Sequence, residues 1–162
     1  MGTQQILLIV LSVIIVGAAV AVGIDMFNRQ DFTSNRSSAA SDVQIFLTQV
    51  LQYYKMPTSL GGLSSDLDEI EDEESLARYI GWGEDHPMVN DNAHYLIEIP
   101  EDVADVIYIK AIGRSSLAGK RPVVHGRIHF PDGEIRSRVG EIELTTTDVT
   151  ETDFDFNLWE ID

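Results

Sequence analysis

The sequence contains no cysteine and few basic residues. Without cysteine the chain can form no disulfide, no thiolate zinc site and no cysteine nucleophile, and its redox compartment cannot be inferred. Lys and Arg number 11 against 27 Asp and Glu, so the formal net charge is -16. A field of this sign repels nucleic acid and anionic lipid headgroups, which argues against nucleic acid as a partner. The 162 residues give room for one domain and an appendage.

Charge is also absent from the first part of the chain. From Ile6 to Ile24 no side chain is charged, and Ser12 alone is polar. A helix of this length measures about 28 Å, close to the hydrocarbon thickness of a bilayer, which predicts a membrane-spanning helix. Residues 17–23 are mostly Gly and Ala, and such small residues favour close helix-on-helix packing in an apolar medium. The alternative is that they reflect the ordinary composition of a spanning helix.

Three roles compete for this segment: a secretory signal, a simple membrane anchor, and a helix that later packs against copies of itself. Ala19 and Ala21 form a small-x-small cleavage pattern. Against cleavage, no Lys or Arg precedes Ile6, and the apolar stretch is longer than the core of an ordinary signal. We therefore expect the segment to be retained.

Helix-breaking residues are missing from the stretch that follows. After Gly23 the next glycine is Gly61, and the first proline is Pro57. Apolar residues recur here at steps of three and four, which predicts one face of an amphipathic helix. The predicted face comprises Ala40, Val43, Phe46 or Leu47, Val50 or Leu51, and Tyr54, and the polar face opposite it carries Asp42, Gln49 and Gln52.

Two forms of this helix are open. The Ser, Thr and Asn side chains within residues 31–38 compete with a helix by bonding their own backbone, so a break there, with Ser38 or Ser41 capping a new helix, is one form. The other is a continuous rod from residue 3 to about 55, which is about 80 Å long. One small domain cannot cover such a rod along its length, so the rod would need partners.

The rest of the chain predicts mostly β-structure. Residues 63–75 read as an acidic loop that leads into a short helix at Ser75–Ile80. Alternating apolar residues predict four antiparallel strands with one face packed on the amphipathic helix. These strands are Ala93–Ile99, Val106–Gly113, Val123–Phe130 and Glu134–Leu144. Gly140 is a candidate bulge, and residues 154–158 of the acidic tail are a candidate edge strand.

The expected fold class is α+β, with a long N-terminal helix, apolar in its first half and amphipathic in its second, packed on a four-stranded antiparallel sheet. The other sheet face, which is acidic, is expected to meet solvent. The expected divisions are an apolar helix at 1–27, an amphipathic helix at 28–56, an acidic loop region with a short helix at 57–92, and an antiparallel sheet head at 93–162.

Few residues form a pattern typical of catalysis or metal binding. His125 and His129 lie on one face of a predicted strand about 13 Å apart, too far to share a metal ion. We expect both at the surface or half-buried, and we expect His86 and His94 in a solvated loop. The acidic run at residues 66–74 lacks the glycine and the spacing of the helix–loop–helix calcium motif. The sequence therefore predicts no enzyme, no cofactor and no metal site.

The combination of these features resembles the type IV pilin family. Residues 1–55 carry the resemblance, as a spanning helix that runs into an amphipathic half, and the sheet matches in architecture. In that family the apolar helices bundle in the core of an extracellular filament. The resemblance implies a homopolymer, held in the inner membrane until pilus assembly machinery builds it into a cell-surface filament. The implied core residues are Gln5, Ile6, Leu7, Ile9, Val13, Val16, Gly17, Val20 and Gly23.

The sequence departs from the family pattern near its start. Family members usually carry glutamate at the fifth residue of the mature chain, where it pairs with the N-terminal amine of a neighbouring subunit. If Met1 begins the mature chain, Gln5 stands there and can form a hydrogen bond but not the ion pair; if Gly2 ends a leader, Leu7 stands there. The runner-up interpretation is a single-pass membrane protein whose exterior domain binds a partner.

Overall fold

The computed structural model describes residues 2–67, 70, 72–83, 87–100, 105–146 and 148–159. The elements in chain order are α1 (Thr3–Lys55), a 3-10 turn (Thr58–Leu60), α2 (Glu73–Tyr79), β1 (Met88–Val89), β2 (Ala93–Glu98), β3 (Val106–Gly113), β4 (Lys120–His129), β5 (Glu134–Glu143) and a second 3-10 turn (Glu151–Phe154). We call the part of the chain that follows α1 the head. The predicted α+β class is confirmed.

The strands form one antiparallel sheet in the order β1-β2-β3-β4-β5, so each strand pairs with its neighbour in sequence. The sheet has five strands and not the expected four, because β1 adds two residues to the edge beside β2. Two residues are too short for an alternating pattern to be visible in a sequence. Gly140 pairs regularly with Val123, so the predicted bulge is wrong.

Helix α1 runs without interruption through residues 31–38, so the structure adopts the continuous form of the helix. Two polar side chains of this stretch bind residues outside the helix. Ser115 Oγ donates to Asp31 Oδ2 at 2.6 Å, and Asn35 Nδ2 donates to the carbonyl of Asn92 at 2.7 Å. Because these groups have partners in other elements, they do not compete for the helix backbone at the site of the expected break.

The second half of α1 packs on one face of the sheet. Val43, Leu47 and Val50 are fully buried there, and Phe46 and Leu51 are half-buried on either side of them. Tyr54 is buried near the end of the helix, and Ala39 is fully buried while its neighbour Ala40 is partly exposed. The sheet supplies Tyr95, Ile97, Ile107, Ile109, Ala111, Val124 and Ile128 to the same core.

The tail does not add an edge strand, which corrects the prediction. Residues 148–159, which we call the strap, lie across the outer sheet face. Phe154 is buried there against Leu96, Ile112 and Val123. Leu158 contacts the position of Gly140, where a Cβ would lie 2.9 Å from its Cδ2 atom. The apolar part of the outer face is therefore covered and does not lie open to solvent, because burial by these residues keeps it out of water.

The strap buries a histidine. His125 is 2% exposed, so the expectation of a surface or half-buried side chain is wrong for this residue, whereas His129 is exposed. The Nδ1 atom of His125 accepts a hydrogen bond from the backbone N–H of Leu158 at 3.3 Å. Burial lowers the pKa of His125 to about 3, and the charges of Lys110 and Arg127 act in the same direction. The ring is therefore neutral at pH 7.

We expect the strap to loosen in acid. Between pH 6.5 and about 3 the unfolded chain binds a proton on His125 that the folded chain does not bind. The free energy of unfolding should therefore fall as the pH is lowered through this window, by up to about 1.4 kcal/mol per pH unit from this group. His125→Gln should flatten the dependence. Urea unfolding followed by tryptophan fluorescence measures it, and an unchanged slope in His125→Gln would refute the assignment, with the exposed His129→Gln as control.

A polar seam joins α1 to the loop before β2. Asp42 was expected on the solvent face of the helix, but its Oδ2 accepts hydrogen bonds from Tyr95 Oη (2.6 Å), Asn92 Nδ2 (2.8 Å) and Asn90 Nδ2 (3.2 Å). The helical face pattern could not show this, because a carboxylate beside the apolar stripe can turn either way. Burial acts to raise the pKa of Asp42, but the three hydrogen bonds outweigh it and the pKa is lowered from 3.8.

Asp42→Asn should destabilise the head at neutral pH. A charged acceptor with several donors contributes about 2 kcal/mol, so the free energy of unfolding should drop by about that amount at pH 7. Since the folded pKa lies below 3.8, this contribution is present above that pH and is lost as the pH falls through the folded value. The two proteins should therefore converge in strong acid. Equal stability at pH 7, measured by urea unfolding beside the exposed control Asp132→Asn, would contradict the seam.

Candidate assembly surface

The first half of α1 is exposed along its whole length. Every described residue from Gly2 to Asp31 is exposed. Asp31, at the end of this stretch, accepts the hydrogen bond from Ser115, and burial against the head begins at Phe32, which is 6% exposed. We call residues 3–31 the rod; at about 1.5 Å per residue it projects about 43 Å from the head. All the residues proposed from the sequence for a filament core lie on it: Gln5, Ile6, Leu7, Ile9, Val13, Val16, Gly17, Val20 and Gly23.

Between Ile6 and Ile24 the rod is apolar around its whole circumference. Large apolar side chains along it are between half and four-fifths exposed, for example Leu7 at 69% and Val13 at 66%. Burying one such side chain contributes about 1.5–3 kcal/mol. Removing the thirteen large apolar side chains from Ile6 to Ile24 from water would therefore gain on the order of 20 kcal/mol or more. An apolar surface of this size does not stay in contact with water. The rod therefore has to be covered by lipid or by protein.

The polar groups of the rod fit an apolar surrounding. The single hydroxyl between Ile6 and Ile24, Ser12 Oγ, donates to the carbonyl of Ile9 at 2.8 Å, so it does not need a partner outside the helix. The first charges, Asp25 and Arg29, form an ion pair at 2.9 Å, one turn apart. Within the described residues, α1 is the one helix with a segment long and apolar enough to cross a membrane, and none of that segment is buried. The rod could thus anchor the chain in a membrane.

Small residues give the rod a surface that another helix can approach. A Cβ atom added at Gly17 or at Gly23 would meet nothing within 4 Å. Ala18, Ala19 and Ala21 lie between them. Two helix backbones can pack closely where such residues face each other. The van der Waals contacts between the helices then replace the contacts that each helix makes with lipid. Gln5 lies exposed at the beginning of the rod, where its amide can still hydrogen-bond.

The head carries a concave surface with acidic walls. This cavity of about 540 Å³ is lined by Asp72, Glu73, Glu74, Leu96, Ile97, Glu98, Lys110, Glu151, Phe154 and Asp155. Lys110 is buried within it and pairs with Glu98 at 2.5 Å, so a positive charge already occupies the site. Among the residues that the structure describes, no three His, Asp or Glu side chains are grouped to hold a metal ion. His86 and part of the acidic run, residues 68, 69 and 71, lie outside the described residues.

Comparisons with protein-family models, with curated proteins and with solved structures found no match. The architecture is compatible with a pilin-like fold in one respect, a long apolar N-terminal helix packed on an antiparallel sheet. The assignment of a role therefore depends on the rod and on the way in which it joins the head.

Proposed function

We propose that this protein is a structural subunit of an extracellular, type IV pilus-like filament. In this proposal the rod first lies in the inner membrane, and assembly machinery then moves it out of the lipid into a bundle of identical rods. The homopolymer is helical, with the heads on the outside, and no catalysis is involved. Lipid is exchanged for sister rods, so the apolar surface stays out of water throughout.

The observation that carries the proposal is the unbroken helix between rod and head. A tethered binding domain needs only an anchor and a linker, whereas α1 passes through residues 31–38 without a break and is bonded to the head at Asp31, Asn35 and Asp42. Because the head is fixed rigidly to the rod, packing of the rods would also fix the spacing of the heads. This is the property that a filament subunit requires.

Microscopy of sheared cell-surface material tests the proposal. Negative-stain images should show filaments, and mass spectrometry of the same material should identify this chain as a component. The mass of the N-terminal peptide would in addition reveal the mature first residue and any methylation. If the chain is found only in the membrane fraction and no filament contains it, the runner-up applies, a single-pass protein with an exterior binding domain.

A further inference from the structure

A smaller cavity lies at the end of the sheet where β2 and β4 begin and β3 ends. It has a volume of about 230 Å³ and is lined by Val89, His94, Arg114 and Arg121. Since a water molecule occupies about 30 Å³ in the liquid, the cavity has room for a small ion and several waters. Three of its four lining side chains carry nitrogen donors, and none carries a carboxylate. The charged residues that line the cavity are all basic, whereas the chain as a whole has a net charge of -16.

Arg121 is the unusual residue of this cavity. It is 6% exposed, and its Nε atom is buried without a hydrogen-bond partner. Within the described ranges, no carboxylate forms an ion pair with its guanidinium. A guanidinium keeps its charge at every physiological pH, and a buried charge without a partner is costly. Arg121 is therefore a buried cation that has no anionic partner among the residues that the structure describes.

Two further groups add to the positive potential. Arg114 lines the same cavity while its Nη1 donates to the carbonyl of Asn90 at 3.3 Å, which holds the side chain in place. Burial lowers the pKa of His94, the charges of Arg121 and Arg114 lower it further, and Asp148 acts in the opposite direction. His94 is therefore neutral at pH 7, where its ring can donate one hydrogen bond. The planar donors of arginine match the geometry of carboxylate and phosphate oxygens.

We propose that this cavity is an oxyanion site, in which Arg121 and Arg114 bind a phosphate, sulfate or carboxylate group beside His94. The anion has two possible sources with the same chemistry: a free inorganic ion, or an acidic side chain of a second copy of this chain. The site does not depend on the filament proposal, because its residues all belong to one head.

The site can be tested with phosphate on the full chain in a neutral detergent. The ring protons of His94 are followed by NMR over a pH titration, in chloride and in millimolar phosphate at the same ionic strength. A bound anion offsets the charges of the two arginines, so phosphate should raise the pKa of His94 in the wild type. Arg121→Gln should weaken phosphate binding at least about tenfold. Arg78→Gln, an exposed arginine on α2, should respond as the wild type does.

A dilution series without phosphate separates the two sources. If a carboxylate of a second copy fills the site, the His94 signals should change with protein concentration and added phosphate should displace that copy. If the ligand is a free ion, dilution should have no effect while phosphate acts at every concentration. The proposal is overturned if neither phosphate nor concentration moves His94 more in the wild type than in Arg121→Gln. Should that variant fail to fold, Arg114→Gln, at an exposed position, gives the same comparison.

Discussion

Ile9→Asp is expected to abolish filaments while leaving the head folded. Ile9 lies on the rod, 64% exposed and about 35 Å along the helix from Phe32, the first buried residue of α1. In a bundle of rods every subunit would carry an unpaired carboxylate among apolar neighbours. An aspartate costs about 2.5–3.5 kcal/mol at the centre of a spanning helix, and the cost recurs in each copy of the polymer. Negative-stain counts of filaments per cell measure the effect.

The control for this experiment is an aspartate introduced in place of an exposed apolar residue outside the rod. Leu60→Asp introduces a carboxylate at a residue that is 71% exposed in the turn after α1, and it should leave filament numbers near those of the wild type. Both variants should be found in the membrane fraction and should show the wild-type unfolding transition in detergent. Normal filament numbers in Ile9→Asp would mean that the rod does not pack against other rods.

Gly126→Val is expected to have the largest effect on the stability of the head. Gly126 lies in β4 directly under α1, where a Cβ atom would be 2.4 Å from Val43 Cγ1 and 2.7 Å from Leu47 Cδ1. Val43 cannot easily move aside, because a β-branched side chain in a helix has one strongly preferred rotamer. Overpacking of a core usually costs about 1–3 kcal/mol, and valine adds two further methyl groups to the clash, so a loss of at least about 3 kcal/mol should result.

The matched control is a glycine in the neighbouring strand, on the opposite face of the sheet. At Gly140 the nearest atom to an added Cβ is Leu158 Cδ2 at 2.9 Å, the end of a flexible side chain on the strap. Gly140→Ala should therefore cost less than Gly126→Ala, since Leu158 can shift and α1 cannot. Urea unfolding of the four proteins gives the order directly. A Gly126→Val protein as stable as the wild type would contradict the close contact of α1 with the sheet.

The elements that the sequence predicted well are those with a long or regular pattern. The apolar segment, the amphipathic face of α1 and strands β2 to β5 repeat their period often enough to be recognised. The continuity of α1 was not decidable, because the side chains of Asp31 and Asn35 can bond either their own backbone or a distant loop. The structure gives them partners at Ser115 and Asn92, more than fifty residues away in the chain.

The strap and the anion cavity could not be predicted for a related reason. Alternation of Phe154, Phe156 and Leu158 suits an edge strand and a strap equally well, and only the position of the outer sheet face decides between them. In the same way the spacing of His94, Arg114 and Arg121 in the sequence does not indicate a shared site. These residues come together only because β2, β3 and β4 are neighbours in the antiparallel sheet. Burial of His125 follows from the strap and was missed with it.

Cysteine cross-linking in the rod tests the central claim most directly, because the native chain has no cysteine to interfere. Ala18→Cys and Ala21→Cys replace one small residue by another on the rod surface, and mild oxidation then joins sulfurs that lie next to each other. If rods pack against rods, sheared surface filaments should give covalent dimers that disappear when detergent disperses the subunits before oxidation. If both positions give no dimers in the surface material, or as many dimers after dispersal as before, the rods do not form its core.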